Sequence, residues 1–239
     1  MTRSRTIKRP PQQDRSRVTQ ERILASASAL LAKRGHADFT LLSVCKESGL
    51  SIGAIYSRFS SKDELLRTIQ ERHIEELDTD VTQIVGRLAA QNGSLQSTAP
   101  AVVREFCELY RKHQFLLRPL MALGTIDPIM GQVGKKWDTR TKQQFRHLLL
   151  RHKSEIAQSS PERAVDTCFE VIFASVTHVL GLGTAPNVMG TAPNVRSKNI
   201  WRDFVEDLSR MVSTFLLSDL SGISTGELVT LNAERRAGR

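Results

Sequence analysis

Residues 40–62 read TLLSVCKESGLSIGAIYSRFSSK and contain the most informative pattern of the chain. They predict a short helix that Thr40 caps and Gly49 ends, followed by a second short helix that Ser51 caps. A Thr or Ser hydroxyl can accept a backbone N–H that lacks a partner at a helix start, and glycine tolerates the left-handed conformation of a helix end. Two short helices joined by a tight glycine turn form a helix-turn-helix, which places its second helix in the major groove of DNA.

The second helix of this pair is predicted to have a buried side and a DNA-facing side. Ile55 and Phe59 lie four residues apart, so they share one face of a helix and are expected to point inward. On the other face, the apolar Ile52 and Ala54 suit thymine methyl groups, whereas Arg58 could contact a phosphate or a guanine, or simply point to solvent. The predicted DNA-binding residues are Thr40, Ser51, Ile52, Gly53, Ala54, Tyr56, Ser57, Arg58 and Lys62.

The stretch from Thr40 to Leu66 resembles the DNA-binding region of the TetR-family transcriptional regulators. Cys45 and Ser48 stand where this family usually has alanine, and Arg58 stands where it commonly has histidine or tyrosine. The resemblance implies an all-α protein, with an N-terminal three-helix helix-turn-helix DNA-binding domain and a C-terminal helical domain for ligand binding and dimerisation. The residues that match the family at its own spacing are Thr40, Gly49, Ser51, Gly53, Tyr56, Phe59 and Lys62.

The charge distribution supports DNA binding independently of the resemblance. Residues 1–62 contain 12 Lys or Arg and 4 Asp or Glu, a net charge of +8 out of the +9 of the whole chain. Such a localised basic surplus is the electrostatic pattern expected of phosphate binding. The basic arm at the start could lie along phosphates or enter a minor groove, or it could be an inert tail.

Composition and cysteine content limit the class of protein. The chain has 239 residues, of which 40% are hydrophobic, enough for one or two domains with a core. Cys45, Cys107 and Cys168 lie far apart in apolar helical patterns, so we expect small buried hydrophobes in a reducing compartment. No apolar segment typical of a signal peptide follows the basic start, and the longest uncharged stretch, residues 171–195, is apolar over too short a length to span a membrane. These features predict a cytoplasmic protein with no membrane partner.

The pattern along the chain predicts four segments and several helices. The segments are a basic flexible arm (1–18), the helix-turn-helix domain (19–66), a helical effector-binding and dimerisation domain (67–220) and a tail (221–239). Residues 124–134 and an imperfect heptad repeat at 184–195 are predicted to be loops. Pro119 is predicted to bend a helix, and the capping-box spacing of Ser61 and Glu64 starts another. The predicted helices cover residues 19–33, 101–112, 115–123, 135–157, 161–182 and 198–218, with a further one from Ser61.

The C-terminal helices are candidates for dimerisation and for effector binding. The last two carry more apolar surface than one chain is expected to cover, which favours a homodimer through a four-helix bundle, although the same faces could serve only the internal core. The candidate interface residues are Phe169, Val176, Trp201, Phe204, Leu208, Met211 and Phe215. The resemblance implies a cavity for a small-molecule effector, and the composition suits an apolar or aromatic one. Its candidate lining residues, each also compatible with simple core packing, are Phe106, Tyr110, Met121, Trp137, Phe145, Phe169 and Phe173.

The sequence pattern disfavours one alternative function and leaves two others open. An enzyme is disfavoured because the sequence lacks the H-E-x-x-H, G-x-S-x-G, phosphate-loop and G-x-G-x-x-G motifs, so we expect no catalytic residue, metal or cofactor. A structural or nucleoid DNA-binding factor without an effector shares every DNA-binding feature, and an activator also remains open. The resemblance favours a repressor that binds a palindromic operator as a dimer and is released by its effector.

Overall fold

Helices form all the regular structure in the part of the chain that this computed structural model describes, residues 12–182 and 198–219. Those residues contain eight α-helices and one 3-10 helix, which confirms the predicted all-α class. The helices are α1 (Gln12–Arg34), α2 (Leu41–Ser48), α3 (Ile52–Tyr56), α4 (Lys62–Ala89), α5 (Leu95–Gly124), α6 (Pro128–Leu150), the 3-10 helix (Lys153–Glu155), α7 (Pro161–Leu180) and α8 (Lys198–Leu217). Most of the predicted arm, the heptad repeat and the predicted tail lie outside the described residues.

The chain divides into two compact units. The first runs up to Leu77 and also includes His113–Gly134. The second consists of Asp78–Lys112 and the residues from Lys135 onward. Because the boundaries fall inside helices, α4, α5 and α6 each contribute residues to both units.

The core of the first unit is built around the helix-turn-helix. α1 contributes an apolar stripe from Ile23 to Leu31, and α2 and α3 contribute the fully buried Val44 and Ile55. Burying such a side chain stabilises the fold by about 1.5–3 kcal/mol, so many contacts hold the short helices in place. The cluster consists of Ile23, Leu24, Ala27, Leu30, Leu31, Phe39, Val44, Ile55, Phe59, Leu65, Leu66, Ile69, Leu120, Leu123 and Met130.

α1 is longer than the sequence predicted. It begins at Gln12 rather than at Thr19, and therefore includes part of the predicted flexible arm. The prediction placed the helix start at the first apolar stripe, but the polar residues before it are adequate helix formers. The prolines at positions 10 and 11 are the sequence signal for the earlier start, since proline is tolerated at the first turn of a helix and is costly further inside it.

α5 is one helix of 30 residues where the sequence predicted two shorter ones. It runs through Pro100 and Pro119, although each proline removes one N–H from the helical hydrogen bonds. The buried stripe that includes Val103 and Phe106 compensates for that loss. The predicted break between residues 112 and 115 was therefore wrong, because the buried face of α5 continues across it to Leu117 and Leu120.

The predicted loop over residues 124–134 is mostly helical, since α6 begins at Pro128. Asp127 caps this helix, because its Oδ1 accepts the N–H of Ile129 at 2.9 Å. A Cβ on Gly131 would come within 2.5 Å of the carbonyl oxygen of the last α5 residue. Glycine therefore serves the close approach of two helices here, and interpreting it as a loop signal was wrong.

The last two helices agree with the sequence more closely. α7 covers Pro161–Leu180 and is followed by Gly181 in the left-handed conformation, with φ 62°. α8 covers Lys198–Leu217, one residue shorter than predicted. α6 ends at Leu150, before the predicted residue 157, and the 3-10 helix follows it. Among the described residues, none of the helices combines the length and the apolar character needed to cross a membrane.

Candidate nucleic-acid interface and helical core

The first helix of the helix-turn-helix is capped at both ends as the sequence predicted. The Oγ1 of Thr40 accepts the N–H of Ser43 at 3.1 Å, and the Oγ of Ser43 accepts the N–H of Thr40 at 3.0 Å. Gly49 adopts the left-handed conformation, with φ 67°, and its N–H donates to the carbonyl oxygen of Cys45. These bonds satisfy backbone groups that would otherwise lack partners, so they fix where the turn begins.

The second helix, α3, is only five residues long and depends on its surroundings. The Oγ of Ser51 accepts the N–H of Ala54 at 3.2 Å, which confirms the predicted cap. The side chains of Ile55 and Phe59 are 0% and 2% exposed, which confirms the predicted buried face. A helix of this length is not stable alone, so its cap and its buried face position the residues on its other side.

Most of the predicted DNA-binding residues are exposed. Tyr56 is 56% exposed and Ile52 is 37% exposed. Ala54 is half-buried. Thr40, Ser51, Gly53 and Ser57 are also exposed.

Arg58 is directed back onto its own helix. Its Nη1 donates to the carbonyl oxygen of Ala54 at 3.1 Å and to the Oγ of Ser57 at 2.9 Å. Its Nε also lies 3.4 Å from the carbonyl oxygen of Ser16 on α1. In this arrangement the guanidinium links the end of α3 to α1, and contact of Arg58 with a phosphate or a base stays a prediction.

Lys62 begins α4 next to an aromatic ring of the core. Its Nζ lies 5.7 Å from the centre of the Phe39 ring, a distance at which the ring attracts a cation. The capping box predicted at this helix start is half formed, since the N–H of Glu64 donates to the Oγ of Ser61 at 3.1 Å. The Glu64 carboxylate instead accepts the N–H of Ser60 at 2.6 Å, and the hydrogen bonds from Ser60 lower the pKa of Glu64.

One cation beside the turn was not among the predicted residues. The Nη2 of Arg22 lies 3.2 Å from the position that a Cβ on Gly49 would occupy. Arg22 is exposed and belongs to α1, whereas the prediction considered only the motif from Thr40 onward. The local excess of basic residues was the available signal, but it cannot identify which of them lies next to the turn.

In the second unit, six of the seven predicted ligand-lining residues come together in one aromatic core. The Phe106 ring centre lies 4.7 Å from that of Tyr110, 5.3 Å from that of Phe145 and 5.2 Å from that of Phe169. Tyr110 also contacts Trp137 and Phe173. Met121, the seventh residue, belongs to the first unit. The cleft bounded by Phe106, Phe145 and Phe169 encloses only about 10 Å³, which is room for roughly one water molecule.

Polar atoms at one edge of this aromatic core lack partners within the described residues. They are the Nε1 of Trp137, the Oδ1 of Asp138 and the Oγ1 of Thr141. Trp137 and Thr141 are 6% and 1% exposed, and an unsatisfied buried polar group costs about 1–3 kcal/mol. Burial and the nearby Glu170 raise the pKa of Asp138, while Lys142 acts in the opposite direction. Burial and Asp138 raise the pKa of Tyr110.

The predicted dimer residues divide into two groups. Phe169, Val176, Trp201 and Leu208 are buried within the chain itself. Trp201 also donates from Nε1 to the Oε1 of Glu108 at 2.6 Å. Met211 is 63% exposed, and Phe204 and Phe215 are half-buried. The exposed apolar side chains of these helices that the prediction omitted are Val171, Ile200 and Leu217.

The cysteines are free thiols. Cys107 and Cys168 are buried, and burial raises the pKa of each thiol to about 12. A thiol with so high a pKa is a poor nucleophile at neutral pH. The prediction of small buried hydrophobes is therefore confirmed for these two, whereas Cys45 is half-buried.

A capped, accessible second helix held on a tight turn defines a helix-turn-helix DNA-binding protein. Residues 23–69 match the family model of the bacterial regulatory proteins of the tetR family. This match covers the helix-turn-helix, and it identifies that part of the chain as the DNA-binding region typical of the TetR family, as the resemblance of residues 40–66 predicted. The members of that family are bacterial regulatory proteins.

Solved structures share the fold over nearly their whole length. A protein from Mesorhizobium loti, described as a TetR-family transcriptional regulator, is 16% identical and covers 84% of this chain and 96% of its own, with a TM-score of 0.60. A TetR transcription regulator from Haloarcula marismortui is 12% identical over 84% and 97%, with a TM-score of 0.59. A protein from Saccharomonospora viridis, described as a transcriptional regulator and crystallised with choline, is 16% identical over 83% and 95%, with a TM-score of 0.61. A search of curated proteins found no match.

Proposed function

We propose that this protein is a repressor that binds a palindromic DNA operator as a homodimer. The observation that carries the proposal is the exposed side of α3, where Tyr56, Ser51 and Ile52 stand on a helix whose opposite side is fully buried. Hydroxyl groups of this kind bind phosphates, and an apolar side chain can contact a thymine methyl group. One such helix reads few base pairs, so two copies reading half-sites about one helical turn apart supply the specificity.

The proposed DNA surface includes more than α3. Thr40 lies at the front of α2, Lys62 lies at the start of α4, and Arg22 lies beside the turn. Their positive charge and hydroxyl groups favour phosphate contacts, which supply affinity without reading sequence. Arg58 is proposed to act by joining the end of α3 to α1 rather than by reading a base, because its guanidinium donates to Ala54 and Ser57 on one side and to Ser16 of α1 on the other.

The test is selection of bound sequences from a random DNA pool with the full chain. A two-fold symmetric site whose half-sites are centred about 10–10.5 base pairs apart, or a multiple of that, supports the proposal. Binding without any enriched sequence contradicts it and favours a structural DNA-binding factor. Placing the selected site downstream of a promoter then separates the two modes of regulation, since transcription should fall with a repressor and rise with an activator.

The proposed dimer interface lies on the exposed sides of α7 and α8. Val171 is 40% exposed, Ile200 is 47% exposed and Met211 is 63% exposed. Large apolar side chains exposed along two adjacent helices favour association, because burying them removes apolar surface from water. Two such helix pairs would form a four-helix bundle.

The proposed effector combines an apolar or aromatic body with a cationic or hydrogen-bond-donating group. The rings of Tyr110, Trp137 and Phe173 attract cations through their faces, and Asp138 beside them is a carboxylate with an unpartnered Oδ1 within the described residues. The choline bound by the Saccharomonospora viridis protein is such a cation. Because the neighbouring cleft encloses only about 10 Å³, an effector must favour a more open arrangement of these rings, which is how a ligand shifts a two-state equilibrium.

Thermal unfolding in the presence of quaternary ammonium compounds and of neutral aromatic compounds tests the effector proposal. A compound that raises the Tm and also weakens operator binding supports it. Its effect should be lost in Asp138→Asn and kept in Asp207→Asn, which changes an exposed aspartate of α8. A compound that raises the Tm equally in both variants contradicts the role of Asp138.

A further inference from the structure

A row of polar side chains on α4 contacts residues of the stretch His113–Gly134, which belongs to the same compact unit. Arg67 donates to the Oδ2 of Asp127 at 2.9 Å, and the Nε2 of Gln70 donates to the carbonyl oxygen of Met130 at 2.9 Å. These side chains are three residues apart and so follow one face of the helix. The next position in the row is residue 73, one further turn along α4.

At that position three metal-binding side chains converge. His73 and Glu76 lie three residues apart on α4, with the Nδ1 of His73 at 3.4 Å from the Oε2 of Glu76. The ring of His113, on α5, has its centre 4.9 Å from that of His73. One donor atom from each of the three residues lies within 4.8 Å of the other two. All three belong to the first unit.

We propose that His73, Glu76 and His113 form a binding site for a divalent transition-metal ion of the zinc type. Two imidazole nitrogens and one carboxylate oxygen are ligands that Zn²⁺ accepts, with bonds of about 2.0–2.2 Å. Tetrahedral bonds of that length place the ligand atoms about 3.5 Å apart, so the site closes through movements of about 1 Å. Glu76 can make that movement, because its side chain is 57% exposed.

The ligands also favour this ion over Mg²⁺ or Ca²⁺. Imidazole nitrogen suits Zn²⁺, Ni²⁺, Co²⁺ and Cu²⁺, whereas the hard cations require oxygen ligands. His73 and His113 are 4% and 9% exposed, so the ion would be bound at the protein interior with Glu76 on the solvent side. A fourth, water ligand fits on that exposed side, as in zinc sites with three protein ligands.

A metal ion here would join α4 to α5 within the unit that contains the DNA-reading helix. α4 contributes Leu65, Leu66 and Ile69 to the core that holds α2 and α3. A bond between α4 and α5 therefore restricts the helix on which the helix-turn-helix packs. This regulatory consequence rests on the proposed DNA-binding function, whereas metal binding itself does not.

The first experiment measures metal binding by the full chain after removal of any affinity tag. Co²⁺ should give the visible absorption bands of a site with nitrogen and oxygen ligands, and Zn²⁺ should displace it at one ion per chain. His113→Gln and Glu76→Gln should each lower Zn²⁺ affinity by about 10- to 100-fold or more, the loss found even for residues that only support a ligand. The matched control His147→Gln changes an exposed histidine of α6 and should bind normally.

Circular dichroism of each variant tests whether it folds. If His113→Gln does not fold, Glu76→Gln still tests the site, because Glu76 is the exposed ligand. Absence of stoichiometric Zn²⁺ binding, or equal affinity in Glu76→Gln and the wild-type protein, overturns the proposal. Operator binding with and without Zn²⁺ is a separate readout. Stoichiometric binding that leaves operator affinity unchanged supports the site and overturns only its regulatory consequence, while failure to bind any operator tests the proposed function and not the metal site.

Discussion

At the scale of single residues, the side chains in and next to α3 divide into buried ones that hold the helix in place and exposed ones that are free to contact DNA. Ile55 and Phe59 are buried and fix the helix, whereas Tyr56 is more than half exposed. Ser51 combines two roles, because its hydroxyl caps the helix and remains at the surface. Substitutions of Tyr56 therefore report on DNA binding more cleanly than substitutions of Ser51.

Tyr56→Ala should weaken operator binding by about 30-fold, because the helix-turn-helix of each of the two chains loses a hydrogen bond of about 1 kcal/mol. Dimerisation and the Tm should change little, since an exposed side chain contributes little to stability. Fluorescence anisotropy with labelled operator measures the affinity. Phe115→Ala is the matched control, because Phe115 is a similarly exposed aromatic residue on α5. Loss of the dimer in Tyr56→Ala would contradict the assignment of Tyr56 to the DNA surface.

Asp138 should make the stability depend on pH. Its pKa is raised from the ordinary 3.8 by burial, so between that value and the raised one the folded state binds more protons than the unfolded state. Stability therefore falls as pH rises through this window. Asp138→Asn removes the effect, so its free energy of unfolding should exceed that of the wild-type protein at pH 7 and approach it below pH about 4.

Urea unfolding of both proteins across this pH range measures the difference. Asp207→Asn, which changes an exposed aspartate of α8, serves as the control and should not reproduce the pattern. A difference between Asp138→Asn and the wild-type protein that is constant with pH would show that packing, and not the charge of Asp138, causes it.

At the scale of helices, the sequence correctly predicted the elements whose ends are set by capping residues and glycine nearby in the chain. The caps at Thr40 and Ser51 and the turn at Gly49 follow from local chemistry, and each is present. The bend at Pro119 and the loop before α6 were predicted from proline and glycine, which also occur inside helices when tertiary contacts require it. Gly131 allows two backbones to meet, and nothing in the local sequence distinguishes that role from a turn.

The site could be predicted only where its residues are close in sequence. The exposed face of α3 follows from helical periodicity around Ile55. The contacts of Arg22 and Arg58 with distant parts of the first unit do not, because they depend on how α1 packs. The group formed by His73, Glu76 and His113 was missed for the same reason, since two separate helices supply its ligands.

Gly49→Ala should lower the free energy of unfolding by about 1–2 kcal/mol, the cost of placing a Cβ in the left-handed conformation. Gly86→Ala is the matched control. Gly86 lies inside α4 in an ordinary helical conformation, and among the described residues no neighbouring group lies within 4 Å of the position that its Cβ would occupy. That substitution should stabilise the protein by up to about 1 kcal/mol. Urea unfolding measures both, and equal effects of the same sign would contradict the role given to the turn.

At the scale of the whole molecule, the proposed DNA recognition requires a second copy of the chain. The buried members of the predicted interface serve the internal core, so the exposed side chains of α7 and α8 remain for association. Because the two helix-turn-helix units of a dimer bind one operator together, a loss of dimerisation should weaken operator binding even though no DNA contact changes.

Met211→Glu should convert the dimer to a monomer, because it places two carboxylates in the proposed apolar interface. Analytical ultracentrifugation measures the molecular mass. Ile126→Glu is the control, since Ile126 is 67% exposed and lies between α5 and α6. A Met211→Glu protein that stays dimeric would place the interface elsewhere.

The most direct test of a dimeric, sequence-specific regulator is titration of the selected operator with the full chain at several salt concentrations, together with the mass of the complex. We expect two chains per site, a strong decrease of affinity with salt and at least about 10³-fold weaker binding to a scrambled site at equal salt. Equal affinity for the operator and the scrambled site, or one chain per site, would contradict it.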